Sequence, residues 1–148
     1  MIDLPQGKMD LLQSLPDVFD TIWETMNATL EVVDDAPLFK RRLGEALDLK
    51  RYTGATSWAG FCSCCGLCCA DIKANAQLFD FLLDDNGDCR NFCKTDGLCR
   101  IYHERPLPCR VDDLYDAVFA PRGIARDRYY AFQAACCTLR QHMAGKLK

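Results

Sequence analysis

Apolar residues recur at helical spacing through the first third of the chain. Leu11, Leu12, Leu15, Val18, Phe19, Ile22, Trp23, Met26, Leu30 and Val33 fall on one face, at the three-and-four spacing of an amphipathic helix. Pro16 interrupts a helix arriving from before it but suits the start of a new one. The pattern therefore predicts a short turn and then a main helix from about 16 to 33. Asp35 reads as the N-cap of a second helix with Pro37 in its first turn, and Leu38, Phe39, Arg42, Leu43, Ala46 and Leu47 continue the period. Residues 51–60 read as a loop rich in small residues. Residues 74–83 lean to helix, ended by the turn signal Asp85-Asn86-Gly87. Residues 88–110 have no period. A short helix fits 111–119, Pro121-Arg122-Gly123 a turn, and 125–144 a final helix with Tyr129, Phe132, Cys136, Leu139 and Met143 on one face. The whole is a mainly α-helical small single domain, with N-terminal and C-terminal helices around an irregular centre. Within it, residues 1–51 form an acidic helical region and 52–148 a cysteine-rich one.

Charge and length narrow this picture. A chain of 148 residues can bury about two thirds of its unfolded surface, enough for a core without covalent staples. The net charge of −3 excludes a nucleic-acid binder acting through net charge. No run approaches 18 apolar residues, so no membrane span is expected. The opening residues lack the basic and apolar regions of a signal peptide, so a cytoplasmic location is expected. Residues 1–35 hold eight acids and one lysine. Their helices serve either as scaffold or as a surface for a protein partner or self-association. On the second reading, a chain starting near residue 52 would lose association and keep its metal.

The chemistry lies in the cysteines, 11 against 2 histidines. An odd count cannot pair within one chain, and in a reducing compartment clustered thiols point to metal or redox chemistry rather than disulfides. They fall in three groups: 62–69, 89–109 and 136–137. Cys62, Cys65 and Cys68 stand two residues apart, a spacing that lets a tight turn bring neighbouring sulfurs onto one ion at about 2.3 Å for zinc. Gly66 permits a positive φ within that turn. In the second group Cys89, Cys93, Cys99 and Cys109 each precede a cation, which either offsets thiolate charge or forms a solvated basic face. Cys136 shares a helix face with Phe132 and Leu139, whereas Cys137 lies about 100° away. His103 sits among the cysteines, where a supporting role is favoured over ligation.

Cys62-x2-Cys65-Gly66-x-Cys68-Cys69 resembles the signature of the YkgJ-type cysteine-cluster family, a zinc- or iron-chelating family also called CxxCxxCC. Cys89-Arg90-Asn91-Phe92 resembles its next element, and the run from Gly97 to Arg110 resembles its Gly-x-Cys-x-Ile-Tyr-x-x-Arg-Pro-x-x-Cys-Arg element. The similarity covers residues 61–111. It implies metal ligands at Cys62, Cys65, Cys68, Cys69, Cys89, Cys99 and Cys109, with Cys136 of the last helix making eight. Cys64 and Cys93 occupy positions that the pattern leaves variable.

Eight thiolates suffice for two four-coordinate Zn2+ sites or a shared-sulfur pair, so the leading expectation is a cytosolic zinc- or iron-chelating protein. One alternative is an iron–sulfur redox protein, because Cys62-x2-Cys65-x2-Cys68 matches three ligands of the bacterial ferredoxin run. Another is an interaction module with structural zinc. No catalytic constellation stands out: Asp112, Asp113 and Asp116 are candidates for acid–base work, with a solvated helix start as the simpler reading.

Overall fold

A computed structural model of the chain describes residues 4–5, 7–62, 79–93, 95–96, 98–101 and 104–148. It is mainly helical, as the pattern requires. A short helix α1 (Lys8–Gln13) leads into α2 (Leu15–Val32), with Pro16 in the first turn of α2. Proline has no N–H with which to continue the bonding of α1, so the chain restarts there. The Ser14 hydroxyl donates to the Leu11 carbonyl and closes the end of α1. Helix α3 spans Pro37–Leu47. Its N-cap is Ala36 and not Asp35, because proline favours the first helical position and so fixes the residue before it as the cap.

Residues 51–60 are more than a flexible loop. Two 3₁₀ turns, Leu49–Tyr52 and Trp58–Gly60, bury Tyr52 and Trp58. After residue 79 come a turn at Asp80–Leu82 and the predicted reversal at 85–87. There the Asp84 carboxylate accepts N–H bonds from Asn86 and Asp88 at 2.9 and 3.1 Å, and Gly87 takes a φ of 81°. The rest of the expected helix over 74–83 lies outside the described residues. The aperiodic stretch contains a two-stranded antiparallel ribbon, β1 (Phe92–Cys93) and β2 (Leu98–Cys99), with Phe92 opposite Cys99 and Cys93 opposite Leu98. Strands this short carry no readable alternation, which is why the sequence pattern gives no sign of them. A turn at Leu107–Cys109 leads into α4 (Val111–Leu114), which widens into a π turn over Tyr115–Phe119. The last helix, α5, spans Arg126–Met143.

The core is built from both ends of the chain. Leu12 and Phe19 from the N-terminal helices pack with Tyr52, Trp58, Leu114, Tyr115, Val118, Phe119, Tyr129, Tyr130 and Ala131. A second cluster sets Phe39, Leu43, Ala46 and Leu47 of α3 against Ala135 of α5. Helix α5 therefore buries Tyr129, Tyr130, Ala131, Ala135 and Thr138, while Leu139 and Met143 of the predicted face are 40% and 78% exposed. Two clusters compete for one helix, and their combined footprint, not the apolar period of α5 alone, sets which side is covered.

Residues 1–51 are thus integral scaffold. Their acids are in part matched within the chain: Arg122 pairs with Asp17, and Arg128 pairs with Asp20 at 2.9 Å. The Arg128 guanidinium also lies 5.2 Å from the Phe19 ring and 5.4 Å from that of Trp23, and its stem covers the aromatic pair it caps.

Candidate metal centre

The cysteine-rich stretch lies between Trp58 and Val111, and within it Asp80 pairs with Lys8 of α1 at 2.8 Å while Phe61 and Leu107 pack on the first core cluster. The point of exit is fixed by the Trp58–Gly60 turn, where the Ser57 hydroxyl accepts the Ala59 N–H. Phe61 then rests among the rings of Tyr52, Trp58 and Tyr130, at centroid distances of 5.0, 5.9 and 6.0 Å. Cys62 follows as an exposed residue. The point of return is fixed by Tyr129, whose hydroxyl donates to the Val111 carbonyl at 2.8 Å. One carboxylate joins the two points. Asp112 accepts the Trp58 backbone N–H at 3.0 Å on one oxygen and the Tyr130 hydroxyl on the other, with Arg126 at 3.7 Å. Asp113 pairs with Arg110 at 3.0 Å and Asp116 with Arg126 at 3.1 Å. The three acids proposed for acid–base work therefore all have structural partners.

Between exit and return, two of the predicted ligands, Cys89 and Cys109, pack in one small cluster. Cys89 is buried beside Leu82, and Phe79, Phe81, Leu83, Phe92 and Cys109 pack on that pair. Cys99 lies near enough to act electrostatically on Cys89. The local chain explains this. Cys89 bridges to Leu83 across the Asp84 turn, and the Arg90 N–H returns to the Leu82 carbonyl at 2.9 Å. Cys99 is held opposite Phe92 by the ribbon. The Cys109 N–H is anchored on the carbonyl of Pro106, a fully buried residue, at 3.0 Å.

Burial pushes the Cys89 thiol up. The backbone N–H groups of Asn91 and Phe92 act in the opposite sense, and the Cys99 sulfur raises it further.

Cys93, Cys136 and Cys137 have other surroundings. Cys93, on β1, receives the Arg100 guanidinium at 2.8 Å from its sulfur. Arg100 also approaches Asp96 at 3.7 Å, while Arg90 donates to the Leu83 carbonyl at 3.0 Å. Of these cations, Arg100 meets a thiol. On α5, Cys136 acts on the Tyr129 hydroxyl, and burial pushes its own thiol up to about 11, against the opposing pull of Arg140. Cys137 packs on the first core cluster near Tyr52. His142 stacks on Phe39 at 4.2 Å. Cys64, Cys65, Cys68, Cys69 and His103 lie outside the described residues. Among the described residues, no three His, Cys, Asp or Glu side chains converge closely enough to hold a metal ion. Cys89, Cys99 and Cys109 share a neighbourhood but not a common focus.

Asp112 is the residue the motif reading undervalued. Its one signal was an acid at a helix start, which is common. No family model, curated protein or solved structure matches the chain. No described helix is long and apolar enough to cross a membrane.

Proposed function

We propose that the protein chelates a metal ion through thiolates, zinc in the first instance and iron as the alternative. The residues that would hold it are Cys62, Cys65, Cys68 and Cys69 of the first group and Cys89, Cys99 and Cys109 of the second, with Cys136 of α5 as the eighth. The observation that carries the proposal is Cys89: a buried thiol with Cys109 packed on the same cluster and Cys99 held opposite Phe92 of that cluster. The donor set fits the ion. It is rich in thiols, which suit zinc and the softer states of iron. The proposed set contains no histidine or carboxylate of the kind usual at a catalytic zinc, which supports a structural or carried metal. The resemblance of residues 61–111 to the YkgJ-type family points the same way. Such thiols require reducing conditions, which fits a cytoplasmic location.

Elemental analysis of anaerobically purified protein, made with zinc and iron both supplied, tests this. Zinc bound in stoichiometric amount is the expected result, and protein with neither metal refutes the proposal. A brown preparation absorbing near roughly 400 nm would transfer the site to an iron–sulfur cluster.

A further inference from the structure

The two ends of the cysteine region are joined by the hydrogen bond of the Trp58 N–H to Asp112. Cys62 lies four residues after Trp58, and Cys109 three residues before Asp112. The Trp58–Asp112 hydrogen bond spans 54 positions, and the seven motif cysteines all lie between its ends. We propose that Asp112 is a positioning residue for the metal centre: it clasps the two arms of the region at their base, so that ligands from the Cys62 arm and the Cys109 arm act on the same metal centre. This rests on the chelating function proposed above.

Three features make this bond more than an incidental contact. The Asp112 carboxylate uses both oxygens: one accepts the Trp58 N–H of the exit arm and the other the Tyr130 hydroxyl of α5, which anchors the return arm to the scaffold. Tyr130 is fully buried, and its ring lies 5.5 Å from that of Trp58, so the acceptor is held against a rigid wall. The neighbouring residue, Val111, is pinned to the same helix through Tyr129. Ends that are already together spare the metal the entropy of closing the loop, a cost that grows with loop length. A clasp that holds these ends together raises metal affinity, and by reciprocity bound metal tightens the clasp by the same factor. Asp112→Asn keeps the shape but turns an NH2 group towards one of the two donors. Hydrogen bonds to a charged acceptor are worth enough for the lost contact to weaken metal binding about tenfold.

The test uses the full chain. Zinc affinity is measured by competition with a chromophoric chelator for wild type, Asp112→Asn and Tyr130→Phe, which removes one donor and keeps the ring. In parallel, hydrogen exchange at the Trp58 and Phe19 backbone amides is followed in wild-type protein with zinc bound and after chelation. The expected result is an affinity about tenfold lower for Asp112→Asn and less reduced for Tyr130→Phe, at unchanged stoichiometry. Exchange at Trp58 should speed up when zinc is removed by more than exchange at the buried Phe19 amide of α2, a difference that global destabilisation of a purely structural hydrogen bond would not show. If Asp112→Asn fails to fold, the decision passes to Tyr130→Phe and to the wild-type exchange. Wild-type zinc affinity in both variants, or Trp58 exchange no more sensitive to zinc than that of Phe19, overturns the clasp and leaves the chelating function standing. A wild-type chain that binds no metal overturns that function itself.

Discussion

Replacing Phe19 by alanine asks whether the acidic N-terminal helices are scaffold. The ring is 1% exposed and meets Trp23 at 6.2 Å, Phe119 at 6.0 Å and Phe132 at 5.1 Å, so it ties α2 to both the π turn and α5. A buried phenylalanine truncated to alanine costs about 4 kcal/mol, from lost transfer energy and the cavity left behind. Against a total stability on the order of 5–15 kcal/mol, that is a large share. For a chain of this length it corresponds to a fall in Tm of about 8–16 °C. Urea unfolding followed by circular dichroism gives the value directly, with a midpoint lower by roughly 2 M for a slope near 2 kcal/mol per M. Val18, the preceding residue and 48% exposed, supplies the control: Val18→Ala should change stability by no more than about 0.5 kcal/mol. A double-mutant cycle with Phe132→Ala should return about 1 kcal/mol of coupling for the ring pair. A loss below about 1 kcal/mol for Phe19→Ala, or a loss no larger than that of Val18→Ala, would refute the packing of α2 on α5.

Three further outcomes are expected. A chain beginning at residue 52 loses Leu12, Phe19, Phe39 and Leu43 from the two main clusters; it should show no cooperative thermal transition, and a dispersed amide spectrum from it would count against an integral N-terminal scaffold. Cys89→Ser should lower the zinc retained after gel filtration and Cys93→Ser should not; equal retention in both would remove Cys89 from the ligand set. In metal-free protein, burial raises the Cys136 thiol from 9.0 to about 11. The folded state thus holds this proton more tightly than the unfolded state does, so the stability it contributes is complete below about 9 and lost as pH rises through about 11. Cys136→Ala should flatten that alkaline limb in denaturation at stepped pH, and an unchanged slope would show that the thiol is not buried.

How far the sequence could be read depended on the range of the interactions involved. The limits of α2 and α3 follow from Pro16, Pro37 and the apolar period, all within a few residues of the feature they set. The 85–87 turn is equally local, because Asp84 satisfies the N–H groups of Asn86 and Asp88 by itself. The ribbon at Phe92–Cys93 and Leu98–Cys99 was not legible, since strands of two residues carry no pattern and are held by their surroundings. Asp35 was read as a cap because its side chain suits one, yet the proline two positions on moved the cap to Ala36. On α5, spacing put Cys136 with Leu139 and Met143, but those two residues face solvent and Cys137 meets the core.

By itself, the sequence determined a mainly helical chain and a cysteine spacing suited to chelation. Helix periods and thiol spacings are short-range properties, set by covalent geometry and by contacts one turn away. Tertiary structure alone decided that the N-terminal helices enter both main clusters of the core, that Cys89 and Cys109 pack in one small apolar cluster, and that Asp112 bonds to Trp58. Each depends on groups far apart in the chain, such as Trp58 and Asp112, 54 positions from one another. No local pattern specifies such a meeting, because it comes from the packing of α5 against the turns that flank the cysteines.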